Sequence, residues 1–137
     1  MAYSVRTDLD NVFGKNNIDS WADLDADEDA AKITARIAAA IVTADDMIDS
    51  CMRNGPYPLP LVDQAAATPI VIRDVSSKLA GVWLYEARGV IDMTPDGIAV
   101  HRLQWHKRSA KDILRDLIAG KLRLDSVTVE SFAPEVI

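Results

Sequence analysis

The sequence predicts an all-α protein, a small bundle of about four helices with a long central helix and an extended C-terminal tail. Three observations carry that expectation. Apolar residues recur at helical spacing over long stretches; threonine-proline pairs and glycines punctuate those stretches; only the end of the chain alternates as a strand does.

Val5, Leu9, Val12 and Phe13 fall on one helical face, with Ser4 placed to cap the start and Gly14 to close the end. Asn17 then caps one or two turns carrying Ile18, Trp21 and Leu24. From about Asp29 to Arg53, Ile33, Ile37, Ala40, Ile41, Ala44, Met47, Ile48 and Cys51 line one face without interruption by Gly or Pro, which predicts the long helix. Its back carries Ala35, Ala38, Ala39 and Val42 before turning acidic at Asp45, Asp46 and Asp49, so the helix is expected to be packed on both sides. Asn54-Gly55-Pro56 ends it, and Tyr57-Pro58-Leu59-Pro60-Leu61 forms a stiff, largely extended loop, because each proline restricts itself and its predecessor.

Thr68-Pro69 opens the next helix, expected to run to Arg88 with the stripe Val71, Ile72, Val75, Leu79, Val82 and Trp83. Thr94-Pro95 repeats that start signal and predicts a last helix to about Ala119, its stripe being Ala99, Val100, Leu103, Ala110, Ile113, Leu114, Leu117 and Ile118. Residues 1–124 are therefore read as a helical domain and 125–137 as an extended tail, poorly packed on its own subunit, in which Val127-Thr128-Val129 alternates and Pro134 breaks any helix.

Composition narrows the function classes. Of 137 residues, 49% are hydrophobic and 26% charged, the balance of an ordinary globular domain rather than a disordered or collagenous chain. A chain of this size buries roughly 70% of its unfolded surface and needs no staple. The single Cys51 makes no internal disulfide, which fits a reducing compartment. Charge follows the N-terminus at once, and the longest apolar run, Ile37 to Val42, is far short of the roughly 20 residues of a membrane span, so neither a signal peptide nor a membrane anchor is expected. The net charge of -6 opposes tight binding of DNA or RNA.

Catalytic signals are weak. Asp23, Asp25, Asp27 and Asp29 alternate like the start of a calcium loop, yet the sixth and twelfth positions hold Glu28 and Thr34 instead of Gly and Glu. The better reading is carboxylates facing the positive end of the long helix. His101 and His106 lie on different helical faces, and Cys51 has no metal-ligating neighbour in sequence, so no metal and no cofactor are expected. No nucleophile elbow, phosphate loop or dinucleotide fingerprint occurs. Glu86 falls within an apolar stripe, which predicts a buried ion pair with Arg102, Lys107 or His106, Arg102 being the leading candidate. Arg108, Lys111 and Arg115 form a basic flank, either solvated and paired as Arg108 with Asp112, or meeting the acidic stretch Asp23 to Asp29 of another subunit. Trp105 points away from the stripe, towards an interface or beneath a loop.

Tyr3-Ser4-Val5-Arg6-Thr7-Asp8-Leu9 with Phe13-Gly14, the alanine-rich helix ending in Ile48 to Arg53, Tyr57-Pro58-Leu59-Pro60-Leu61, Leu84-Tyr85-Glu86 and Ile118-Ala119-Gly120-Lys121-Leu122 occur in an order that resembles a family of Mu-like phage and prophage proteins, which is similar to head-tail connector (head completion, neck) proteins. The sequence departs from that family in having Val75-Ser76-Ser77 where a cysteine-aspartate pair is usual, and in a short tail. The resemblance implies a non-enzymatic subunit, assembled in the bacterial host cytoplasm into the neck of a virion. It would form a ring with its own copies below a portal protein, extend a channel through which DNA passes without sequence-specific binding, and dock a tail-completion or stopper protein. Its expected interface residues are Tyr57, Pro58, Leu59, Trp105, Arg108, Lys111, Arg115, Val127, Val129 and Phe132, and the tail is expected to add to a partner as a strand. Two other classes stay open on the residues alone: a helical adaptor or regulator, separable by solution mass, and a small enzyme using Glu86 and His106, which a deep polar pocket around Glu86 would favour.

Overall fold

Gly14 divides the start of the chain. Its φ of 90° ends one helix, its N–H donates to the Asp10 carbonyl at 2.8 Å, and its own carbonyl accepts Ile18 N–H at 3.1 Å to begin the next. The computed structural model describes residues 2–53, 55–89, 92–93, 95–97, 99–100 and 103–124. Among these the elements are α1 (Arg6–Phe13), α2 (Lys15–Ala22), α3 (Ala30–Met52), α4 (Ile70–Glu86), β1 (Asp92–Met93), β2 (Ala99–Val100) and α5 (Gln104–Ala119). The protein is all-α, with five helices where about four were expected, the difference being the two turns that become α2.

Local chemistry explains most boundaries. Asp29 caps α3, its carboxylate accepting N–H groups of Ala31 at 3.0 Å and Lys32 at 3.4 Å. Ser4 does not cap α1: Val5 holds that position and the Asp8 carboxylate accepts its N–H at 2.8 Å. Asn17 likewise sits inside α2, donating back to the Phe13 carbonyl at 2.8 Å. The expected start of the last helix at Thr94-Pro95 is wrong. Pro95, Asp96 and Gly97 occupy the turn between β1 and β2, which pair antiparallel with Asp92 opposite Val100 and Met93 opposite Ala99. Proline followed by Asp-Gly also suits a turn, and Gly97 has a φ of 81° that a helix does not admit. The helix begins at Gln104 instead and closes at Gly120.

Packing centres on α4 rather than on the longer α3. α1, α2, α3 and α5 all lie against α4. Its Ile72, Val75, Leu79 and Val82 are buried as the stripe requires, and so are Ser76, Ser77, Ala80, Gly81 and Leu84 on its other sides. Small residues there let neighbouring helices approach closely. At Gly81 the Phe13 ring of α1 occupies the space where a Cβ would stand. That ring is held edge-on by Trp21 at 5.5 Å and His106 at 5.2 Å between centroids, while Trp21 meets Tyr85 at 5.1 Å. One aromatic cluster thereby joins α1, α2, α4 and α5.

A buried polar knot fixes the N-terminal segment. The Asp45 carboxylate, 8% exposed, accepts the Tyr3 N–H at 3.0 Å and the Ser76 hydroxyl at 2.7 Å, and Ser76 shares a further bond of 2.7 Å with Ser4. The Tyr3 hydroxyl donates to Asp49 at 2.5 Å and accepts Leu61 N–H at 2.9 Å, which brings the proline loop into the same knot. Burial, chiefly, pushes the Asp45 carboxyl above its ordinary 3.8, with Ser76 and the Tyr3 N–H pulling the other way. Asp45 therefore belongs to the interior, not to the acidic back of the helix as its sequence position indicates.

Two outcomes follow for stability. Gly81→Ala places a methyl group inside the Phe13 ring, whose neighbours prevent retreat, and is expected to cost about 1–3 kcal/mol despite alanine's better helix propensity, as measured by chemical denaturation. Asp45→Ala leaves the Tyr3 and Ser76 donors without their acceptor at about 1–3 kcal/mol each. The pH dependence has a definite sign. A carboxyl raised in the folded state favours folding when protonated and loses that contribution as pH rises through its folded value. The melting temperature of the native chain should accordingly gain on that of Asp45→Asn as pH is lowered towards 3.8, and an unchanged difference would show Asp45 to be solvated.

Candidate interaction surface

The residues singled out in sequence divide between interior and surface. Tyr57 is 4% exposed, and its hydroxyl accepts the Leu124 N–H at 2.8 Å, so it ties the loop after α3 to the chain beyond α5. It is a structural residue in the subunit, which corrects its assignment to an interface; an amphipathic ring beside buried Leu61 has both an apolar body to hide and a hydroxyl to satisfy. Leu59 is half-buried against the core, whereas Pro58 and Pro60 are exposed. Beyond them Asp63 holds the loop in shape, its carboxylate accepting Ala65 N–H at 2.8 Å and Ala67 N–H at 3.0 Å.

On α5, Arg108, Lys111 and Arg115 are exposed as a flank. Asp112 bonds to Arg115 at 2.7 Å, one turn on, rather than to Arg108. Trp105 is 68% exposed; its ring meets His106 edge-on at 5.0 Å, and the Lys78 ammonium lies 5.9 Å from its centroid. Val127, Val129 and Phe132 lie outside the described residues, as does the expected boundary between domain and tail.

The expected buried ion pair at Glu86 is not formed as such. Glu86 is exposed at the last turn of α4, and its carboxylate lies 3.4 Å from Lys107 Nζ; Arg102 falls outside the described residues. Helical angle places Glu86 in line with Ile72 and Val75, but α4 ends there and leaves it beyond the packed turns. His106 faces aromatic rings, with Nδ1 buried and without a hydrogen-bond partner among the described residues. Burial, reinforced by the Lys78 charge, holds its pKa below the ordinary 6.5, so the imidazole is neutral at pH 7. Glu86 and His106 thus have separate partners, an ammonium and an aromatic cluster.

Carboxylates of the 23–29 loop are occupied by the protein itself. Asp23 accepts N–H groups of Asp27 at 3.2 Å and Glu28 at 3.1 Å, and Lys32 bridges Asp25 at 3.2 Å and Asp27 at 2.7 Å. That arrangement caps the start of α3, as the sequence reading favoured.

Two apolar surfaces remain on α3. Its back, expected to be packed, is exposed at Ala35, Ala38, Ala39 and Val42, the last at 59%, because the other described helices cover only the opposite face. The second was missed in sequence. Met47 and Cys51 of α3 and Leu114, Ile118 and Ala119 of α5 line a groove of about 580 Å³, bordered by Lys111 and Arg115. Of those apolar residues all but Ala119 fall within stripes expected to be core. The signal that marks them is that Met47, about 60° off the centre of the α3 stripe, stands at its edge.

Because Glu86 and Lys107 are both partly solvated, Glu86→Gln should change stability by no more than about 1 kcal/mol, read from the denaturation midpoint; a larger loss would restore the buried pair.

None of these features, among the described residues, assembles a reacting constellation; the exposed features are two apolar surfaces and a basic flank. No curated protein matches the chain with significance. The family model described as "Bacteriophage Mu, Gp36" matches residues 3–135, nearly the whole chain, and the chain belongs to that family of phage proteins.

Proposed function

We propose that this protein is a structural head-tail connector, a non-enzymatic subunit that stacks as a ring below a portal protein in the neck of a Mu-like virion and docks the next component of the tail. The observation that carries the reading is the phage family match across residues 3–135, which covers every helix of the fold. Surface chemistry supports it. A ring subunit needs two different faces for its two neighbours. Here the exposed apolar back of α3 and the basic-bordered groove between α3 and α5 arise from different sides of one helix. The net charge of -6 favours a channel past which DNA slides without sticking, and no described helix is long and apolar enough to cross a membrane.

In this reading the exposed Pro58, Trp105, Arg108, Lys111 and Arg115, with the segment 125–137, contact neighbouring copies, the portal and a tail-completion or stopper protein. Electron microscopy of the protein mixed with a portal protein of a Mu-like phage provides the test. An added ring of density on the portal's tail-ward end is the expected result, and portals that stay bare under all mixing ratios would sink the reading. Every side chain of the described core lies at or before Leu124. Deleting residues 126–137 should therefore leave the helical circular-dichroism spectrum and a cooperative melting transition in place, while particles assembled from the shortened chain lose DNA or fail to join tails.

A further inference from the structure

The groove between α3 and α5 combines an apolar floor with a basic border. Met47, Leu114 and Ile118 supply the floor, and the Lys111 ammonium and the Arg115 guanidinium, the latter shared with Asp112, stand at its edge. The occupant such a groove selects is an extended segment with alternating apolar side chains and acidic groups. Residues 125–137 have that composition: Val127, Val129, Phe132 and Val136 are apolar, Asp125, Glu130 and Glu135 are acidic, and no basic residue occurs among them.

We propose that the groove seats this chain's own residues 125–137. The described chain delivers that segment to the lower end of the groove. Past Gly120 it turns back, with Lys121 and Leu122 both donating to the Asp116 carbonyl, and Leu124 is pinned to Tyr57. Tyr57 follows Gly55 closely in the loop, and a Cβ on Gly55 would stand 3.7 Å from Ile118, a lining residue. Reach is ample, since the groove runs from Lys111 to Ala119, about 12 Å along a helix, whereas an extended segment of that length spans up to ~43 Å. A tether this short also sets a local concentration in the mM range, which makes docking within one subunit favourable over docking between dilute copies. The inference stands apart from the connector reading. Where both hold, the segment is stored on its own subunit and leaves the groove when an assembly partner offers a tighter seat.

Cys51, the one cysteine of the chain, is exposed at the groove and reports its occupancy. The test is the rate of Cys51 modification by an aromatic disulfide reagent in the full chain and in a chain lacking residues 126–137, with circular-dichroism melting to confirm that both are folded. At an effective concentration in the mM range, a docking constant near 0.1 mM makes the full chain react about tenfold more slowly. That protection should be the same at low and high protein concentration. It should vanish in a full-length Lys111→Glu, Arg115→Glu chain, judged by the ratio of rates with and without residues 126–137, because the reversal also changes the thiol's own reactivity. Equal rates in the full and shortened chains, protection that survives the double reversal, or protection that grows with protein concentration and so comes from a neighbouring copy would each overturn the proposal.

Discussion

One buried carboxylate organises this fold. Asp45 sits in the middle of the longest helix with two acceptor oxygens directed at donors from elsewhere, the Tyr3 backbone and the Ser76 hydroxyl. Removing a charged group from water is costly unless such partners are supplied, so the N-terminal segment has a fixed place rather than a general preference for the surface. Tyr3 then carries the constraint onward, with its hydroxyl held between Asp49 and the Leu61 N–H. Burial, chiefly, and the bond to Asp49 raise that phenol's pKa above its ordinary value, so it remains a neutral donor throughout the physiological range. The knot unites α3, α4, the segment before α1 and the proline loop, four pieces that helical periodicity treats as independent.

The same economy of contacts explains what is left over for other chains. α4, shorter than α3, carries small residues on its buried faces, and α1, α2, α3 and α5 lie against it. With α4 enclosed, α3 is packed on the side that faces it and bare on the back, where Val42 stands exposed. α5 packs against α4 and buries Ala110, Leu114 and Leu117, and between it and α3 the groove stays open at Met47 and Cys51. Its outer flank is basic, while the loop capping α3 is acidic. The exposed surface is thus asymmetric, apolar on two different faces of α3, basic along α5 and acidic at the start of α3.

Several features were legible because their causes are local. The threonine-proline pair before α4, the glycine after α5 and the carboxylate before α3 act within one helical turn, so residue type and order suffice to place those ends to within two residues. The resemblance to the Mu-like phage family, too, rests on the order of local motifs. Where two local readings compete, order alone does not decide. Thr94-Pro95-Asp96-Gly97 contains both a helix start and a hairpin turn, and the pairing of Asp92 with Val100, which the sequence does not display, selects the turn.

Sequence by itself determined the helical class, the three long helices, most of the apolar residues that they bury and the lack of a strong catalytic motif. All of these follow from spacing along one chain. Only the tertiary structure decided which carboxylate is inside. Glu86 has the better helical angle and Asp45 the worse, yet α4 ends before Glu86 is enclosed, and Ser76 and Tyr3 arrive beside Asp45 from distant parts of the chain. It likewise decided that α4 is the hub, since small residues signal close approach only once a neighbour such as Phe13 is brought against Gly81. The physical reason is common to both: burial and hydrogen bonding depend on what surrounds a residue in three dimensions, while periodicity reports only which side of its own helix it occupies.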